Sequence, residues 1–282
     1  MRHAAPALAS ALLTAACAVA PGPAPAADIR LYTMDCGFIE IFDADMFADD
    51  GAFAGMPRDL VVPCYLIRHP AGDLLWDAGL TEALATSGPV TSPGGTVSVA
   101  TTLTSQLAQL GLTLADVEYI SVSHSHNDHI GNGGLFAAST WIVDADERAY
   151  AFRDEARANA AEFASYAALE NAKTILIEGD GDYDVFGDGS VVVIQTPGHT
   201  PGHTVLLVRL AEAGPLLLTG DMFHLAETRP GRKVPRFNVD RDQTLASMDK
   251  IDALAAETGA RVIREHVIED FESLPAFPEA LR

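Results

Sequence analysis

Residues 123–132 read SHSHNDHIGN, three histidines and an aspartate within ten positions. The pattern is H-x-H-x-D-H: His124, His126, Asp128 and His129. It follows the short apolar run VEYISVS, which reads as a strand, and it leads through IGNGG towards a helix. In extended chain, residues two apart face the same side. His124 and His126 can therefore reach one ion together, while Asp128 and His129, in the turn beyond, point at a second position. Imidazole and carboxylate ligate zinc at about 2.0–2.2 Å. A polar turn with surface histidines is the plainer alternative, and the tight spacing weighs against it.

One cluster does not close two metal positions, so further ligands must come from elsewhere. Three more apolar runs end in a ligand type: His199 in TPGHTPGH, Asp221 in LLLTGD and His266 in RVIREH. Asp77, in WDAG, reads on its own as a turn aspartate. His203, four residues after His199, reads as a supporting or packing residue and not a ligand. His69, in the HPAGD turn, reads as solvated.

The elements that carry these residues alternate. IRLYTMDCG is a strand by its period of two, and LVVPCYLIRHPAGDLLWDAG is a pair of strands around a turn. Residues 38–59 break the alternation and read as a long loop. Residues 96–110 have helical spacing stopped by Gly111, residues 145–170 are alanine-rich and helical, and Asp240–Thr258 is a helix ended by Gly259. TWIVD, KTILIE, GSVVVIQTPG, HTVLLVRL, PLLLTGD and RVIRE are further strands. Strand groups alternating with helices, with hairpins inside each group, predict an α/β protein of mixed sheets. No period of 20–50 residues points to a repeat architecture.

The chain has 282 residues and a formal net charge of −21. That field repels nucleic acid and anionic lipid, and a neutral or cationic small molecule suits it better; an acidic surface also simply keeps a protein soluble. The basic MRH start, the small-residue apolar run after it and Ala24-Pro25-Ala26 together read as a secretory signal peptide over 1–26, leaving one domain over 27–282. A lipoprotein anchor at Cys17 fits less well. No later run has the roughly 20 apolar residues of a membrane span. The expected location is periplasmic or secreted. There Cys36 and Cys64 either form a disulfide or lie as two buried thiols on neighbouring strands.

The order H-x-H-x-D-H, then His, Asp and His, resembles the metallo-β-lactamase superfamily of binuclear hydrolases, over motifs from LLWDAG to REH. The resemblance implies an αββα sandwich with two metals at one edge of paired sheets. It implies that His124, His126 and His199 hold one ion and that Asp128, His129 and His266 hold the other, with Asp221 bridging and Asp77 supporting the ligand histidines. The cofactor expected is two Zn2+, although other divalent transition metals suit such sites. Two ions about 3.5–4 Å apart share a hydroxide and polarise a carbonyl. Hydrolysis follows, with Asp128, Asp221 and His224 as the catalytic side chains.

LYTMDCG, PCYLIRHPAGDLLWDAG and the tail REHVIEDFESLPAFPEAL are similar to the N-acyl homoserine lactonase group. Those enzymes place a tyrosine three residues after the bridging aspartate, where this chain has His224. The GD-x-x-H pattern is also similar to phosphotriesterase-type members. Lactone opening is therefore the expectation, with a β-lactamase or a phosphotriesterase or aryl-ester hydrolase as alternatives. A non-catalytic binding member is a different class, and the full ligand set opposes it. Met46, Phe47, Phe53, Met56, Phe223 and Phe237 are the expected lining for an acyl chain, against ordinary packing for each. The chain is expected as a monomer or homodimer.

Overall fold

Apolar residues on both faces of a strand require cover on both faces, and the computed structural model supplies it. It describes Met1 and residues 28–282 other than 180; the expected signal peptide over 1–26 lies outside this range apart from Met1. The first sheet contains β1 (Arg30–Ile41), β2 (Arg58–His69), β3 (Gly72–Trp76), β4 (Val90–Ser92), β5 (Gly95–Ser98), β6 (Tyr119–Ser121), β7 (Thr140–Asp144) and β8 (Thr174–Ile177). Their order is β4-β5-β1-β2-β3-β6-β7-β8. The second sheet contains β9 (Tyr183–Asp184), β10 (Val191–Gln195), β11 (Thr204–Leu210), β12 (Gly214–Leu218) and β13 (Arg261–Ile263), in the order β13-β12-β11-β10-β9. The short β14 (Ala280–Leu281) pairs with β1.

Alternate side chains of each strand enter different layers. Tyr65, Ile67, Leu74 and Trp76 meet Val193, Leu206, Val208 and Leu218 between the sheets. Cys64, Leu66 and Leu75 face outwards against Leu103, Leu107, Phe136 and Tyr166. On the far side, Val205, Leu207 and Leu217 pack on Met248, Ile251 and Ala255 of the helix Arg241–Thr258. The fold is an αββα sandwich. Asp240 caps that helix, its side chain accepting from the Gln243 N–H, and Gly259 ends it in left-handed geometry.

Three expected elements differ. The loop spans 42–57 rather than 38–59, because β1 continues to Ile41 beyond a bulge between Asp35 and Phe38. The bulge shifts which face each side chain takes and so masks the strand's second half. The helix expected over 96–110 begins only at Leu103, with Thr102 capping it. Thr96 and Val97 lie instead in β5, where β-branched residues suit the pleat. The helix expected over 145–170 is broken into Ala145–Ala151, Asp154–Ala158, Ala160–Tyr166 and a 3-10 turn. Asn159 leaves helical geometry at φ −83°, ψ 73°.

Cys36 and Cys64 form a disulfide, with Cα atoms 5.7 Å apart. Gly79 packs on it at φ +63°, and a Cβ there would lie 2.2 Å from the Cys36 Cβ. His69 is not solvated: its ring stacks on Phe186 at 4.0 Å and contacts Asp188 at 3.1 Å.

Candidate metal centre

β3 and β6 run parallel in one sheet, and β12 and β13 run parallel in the other. β10 points the same way as β12, because both are antiparallel to β11. The C-terminal ends of these strands therefore gather at one edge. Asp77 follows β3, His124 and His126 follow β6, His199 follows β10, Asp221 follows β12 and His266 follows β13. Asp128 and His129 sit on the single helical turn Asn127–Ile130.

Asp221 lies at the centre. Its Oδ2 is 3.3 Å from His124 Nε2, 3.2 Å from His199 Nε2 and 4.0 Å from His126 Nδ1. Its Oδ1 is 3.0 Å from His129 Nε2 and 2.7 Å from His266 Nε2. Asp128 Oδ2 completes the second group, 3.8 Å from His129 Nε2 and 3.6 Å from His266 Nε2. The structure thus sorts the seven residues into two clusters that share one carboxylate.

The donor set fits divalent cations. His124 Nε2 lies 2.8 Å from His126 Nδ1, and His199 Nε2 lies 3.1 Å from that same atom. Lone pairs at such distances repel unless a cation or proton lies between them. Burial pushes His199 down to about 3 and His124 well below the usual histidine range, so these two resist protonation. Burial also opposes charge on His129, but Asp221, Asp77 and Asp128 outweigh it and raise that histidine well above its usual range. Asp221 is held low: burial opposes its charge, and His224, His129, His266 and His124 outweigh that.

The outer nitrogens are occupied, which orients the inner ones. His129 Nδ1 donates to Asp77 Oδ2 at 2.8 Å, and His266 Nδ1 donates to the Val61 carbonyl at 2.8 Å. Such partners fix the tautomer and free Nε2 as a ligand. Asp77 also accepts from the Ser123 N–H at 2.6 Å and the Ser123 hydroxyl at 2.9 Å. It does so from φ +55°, an uncommon conformation for a residue with a side chain. His203 is not among the clusters. Its Nδ1 donates to the Thr196 hydroxyl at 2.9 Å, and its Nε2 accepts from the Asp221 N–H at 3.2 Å. Gly220, at φ +49°, lets the chain pass there, since a Cβ would lie 2.6 Å from the Ser123 Cβ.

Three buried residues that the sequence did not single out belong to this frame. Ser123 joins Asp77 to the histidine strand. Glu265 accepts from Trp76 Nε1–H and from the Gly220 N–H, both at 3.1 Å. Burial, and then Asp77, push its carboxyl well above the usual range. Glu147 braces two ligand loops. Glu265, beside His266 in REH, had a signal in its position; Glu147, within an alanine-rich helix, had none.

The six expected lining residues divide. Phe237 lies 5.6 Å from His199 and 5.5 Å from His224 between ring centres, and Phe47 lies 5.0 Å from His224 and 5.8 Å from Phe237. Phe237 is 37% exposed and borders the centre beside His126, whose side chain is 31% exposed, while Phe47 lies behind it, 3% exposed and packed in the same cluster as Phe53. Met46 and Met56 are exposed, while Phe53 is buried with Ile41, Ala44, Leu60 and Leu225. Phe223 does not line the site. It is fully buried, with its neighbour Met222, in the layer under the helix Arg241–Thr258. His224 is buried with its Nε2 3.0 Å from Asp221 Oδ2.

Residues 57–261 match the family model of the metallo-beta-lactamase superfamily. The chain is 33% identical over 262 residues to the N-acyl homoserine lactonase AttM of Azorhizobium caulinodans, covering 90% of this chain and 97% of that one. It is 32% identical over 228 residues to an N-acyl homoserine lactonase of Bacillus sp, covering 78% and 87%. Among solved structures, an N-acyl homoserine lactone hydrolase with the product N-hexanoyl-L-homoserine at its catalytic metal centre superposes with a TM-score of 0.74 at 27% identity, covering 89% of this chain and 98% of that one.

Proposed function

Since the chain belongs to the metallo-β-lactamase superfamily, we propose that it is a zinc-dependent hydrolase that opens the ring of N-acyl homoserine lactones and so quenches quorum signals. One observation carries the reading: two ligand clusters share Asp221 beside the exposed ring of Phe237, which Phe47 backs from below. His124, His126 and His199 would hold one zinc, Asp128, His129 and His266 the other, with Asp221 between them. When bound, such a pair activates water at neutral pH and polarises the substrate carbonyl. The relatives named as lactonases, and the neighbour with an opened lactone at its metal centre, support the substrate class.

The chain's own residues complete the reaction. Phe237, supported by Phe47, offers an apolar surface to the acyl chain, with Met46 and Met56 exposed on the 42–57 loop. Ring opening forms a bond from water oxygen to the acyl carbon and breaks the bond from that carbon to the ring oxygen. One water proton must reach the departing alkoxide. Asp128 is placed to carry it: Oδ2 faces the second cluster, which leaves its other oxygen, Oδ1, for the proton, and its side chain is 15% exposed where that of Asp221 is 5%. His224 holds the shared carboxylate, its Nε2–H donating to Asp221 Oδ2 at 3.0 Å. A neutral lactone is not repelled by a chain of charge −21.

The disulfide supports an oxidising compartment, and with the N-terminal sequence it favours a periplasmic or secreted protein. Among the described residues, no helix is long and apolar enough to cross a membrane. A monomer or homodimer suits a site built entirely from one chain. The test is turnover of a long-chain acyl-homoserine lactone, a carbapenem and paraoxon side by side on zinc-replete protein. The lactone should be the best substrate; turnover of the carbapenem or paraoxon without the lactone overturns the proposal.

A further inference from the structure

Glu147 is buried and lies outside both ligand clusters, yet it holds two ligand-bearing loops at once. Its Oε1 accepts from the Ser125 N–H at 2.7 Å and the Ser125 hydroxyl at 2.6 Å. Ser125 stands between His124 and His126. Its Oε2 accepts from the Thr200 hydroxyl at 2.5 Å and the Gly202 N–H at 3.3 Å. Thr200 follows His199. Four donors and no acceptor face this carboxylate, which matches the capacity of its ionised form. The approach is close enough that a Cβ on Gly202 would lie 2.3 Å from the Glu147 backbone nitrogen.

The two loops come from different sheets. β6 leads into the His124–His126 segment, and β10 leads into the His199 segment. Neither sheet alone fixes the distance between them. Apart from Asp221, which faces the ligand nitrogens themselves, no other carboxylate among the described residues accepts from both segments. The second cluster is braced differently, by Asp77 on His129 and by the Val61 carbonyl on His266.

We infer that Glu147 is a positioning residue for one metal position, setting the His124–His126 loop against the His199 loop so that the three histidines close on a single zinc. Removing its charge should loosen that position and leave the other intact. In Glu147→Gln the shape is kept but one oxygen becomes an NH2. The remaining oxygen serves Ser125, where both donors are short. The Thr200 hydroxyl can rotate to accept from the NH2, but the Gly202 N–H loses its acceptor. The His199 loop is the one released.

The experiment strips wild-type, Glu147→Gln and Thr200→Val proteins of metal and titrates each with zinc against a chromophoric chelator, with circular dichroism confirming the fold. Wild type should bind two zinc ions. Both variants should keep one tight site, with the other weakened by roughly tenfold to hundredfold, the usual effect of losing an outer partner. Activity should return in excess zinc. The inference rests on the ligand assignment above: wild type binding no zinc overturns that assignment and this inference with it. Wild type binding two while both variants titrate identically to it overturns the role of Glu147 alone, as does equal loss from both sites.

Discussion

His224 Nε2 lies 3.0 Å from Asp221 Oδ2, the same oxygen that faces His124 and His199. The Nε2–H of His224 therefore donates to the carboxylate that both ligand clusters share. His224→Phe keeps the packing against Phe47 and removes that donor. The turnover number on an acyl-homoserine lactone should fall by about 100-fold, within the range for one proton-handling side chain. Zinc content, measured by mass spectrometry, should not change. An equal loss of zinc and activity would assign His224 to metal retention instead.

Asp77 collects three hydrogen bonds, from the Ser123 N–H, the Ser123 hydroxyl and His129 Nδ1. Asp77→Asn keeps the shape but presents an amide group to donors. The Asp128–His129–His266 position should then bind zinc about 10–100-fold more weakly, read by chelator competition. Unchanged affinity would show that His129 is oriented without it.

Arg236 ties the 42–57 loop to the segment that carries Phe237. Its N–H donates to the Met46 carbonyl at 2.8 Å, its Nε to the Ala48 carbonyl at 3.2 Å, and its Nη2 to Asp45 at 2.9 Å. Arg241 with Asp49 and Lys233 with Asp50 repeat the connection. Arg236→Ala should raise KM for long acyl chains by about tenfold, a loss of about 1.4 kcal/mol of binding, with little change for short chains or in kcat. Equal effects on both chain lengths would place the acyl group elsewhere.

The disulfide closes a loop with a sequence separation of 28 and lies against Gly79, two residues after Asp77. Replacing both cysteines by serine should lower unfolding stability by about 2–4 kcal/mol, measured by urea titration. A change below about 0.5 kcal/mol would contradict that expectation.

The ligands are readable in the chain because each follows a short apolar strand, and strand ends gather at one edge whatever the loops do. Near-continuous apolar runs such as LVVPCYLI likewise signal strands covered on both faces. The bulge at Asp35–Phe38 conceals the end of β1, because one extra residue inverts the pattern. Glu147 is hidden for another reason: its importance lies in contacts with Ser125 and Thr200, respectively 22 and 53 positions away, and spacing carries no record of them. Phe223 and Phe237 look alike in sequence, yet one faces the core and the other the site.

The most direct measurement is proton release on adding a long-chain N-acyl homoserine lactone to the zinc-loaded protein, beside chelated protein and Asp128→Ala. The account predicts one proton per lactone with wild type, as the free carboxylic acid forms and ionises, and none above background in the other two with the fold retained. Undiminished release by Asp128→Ala or by chelated protein, or none by zinc-loaded wild type, would contradict it.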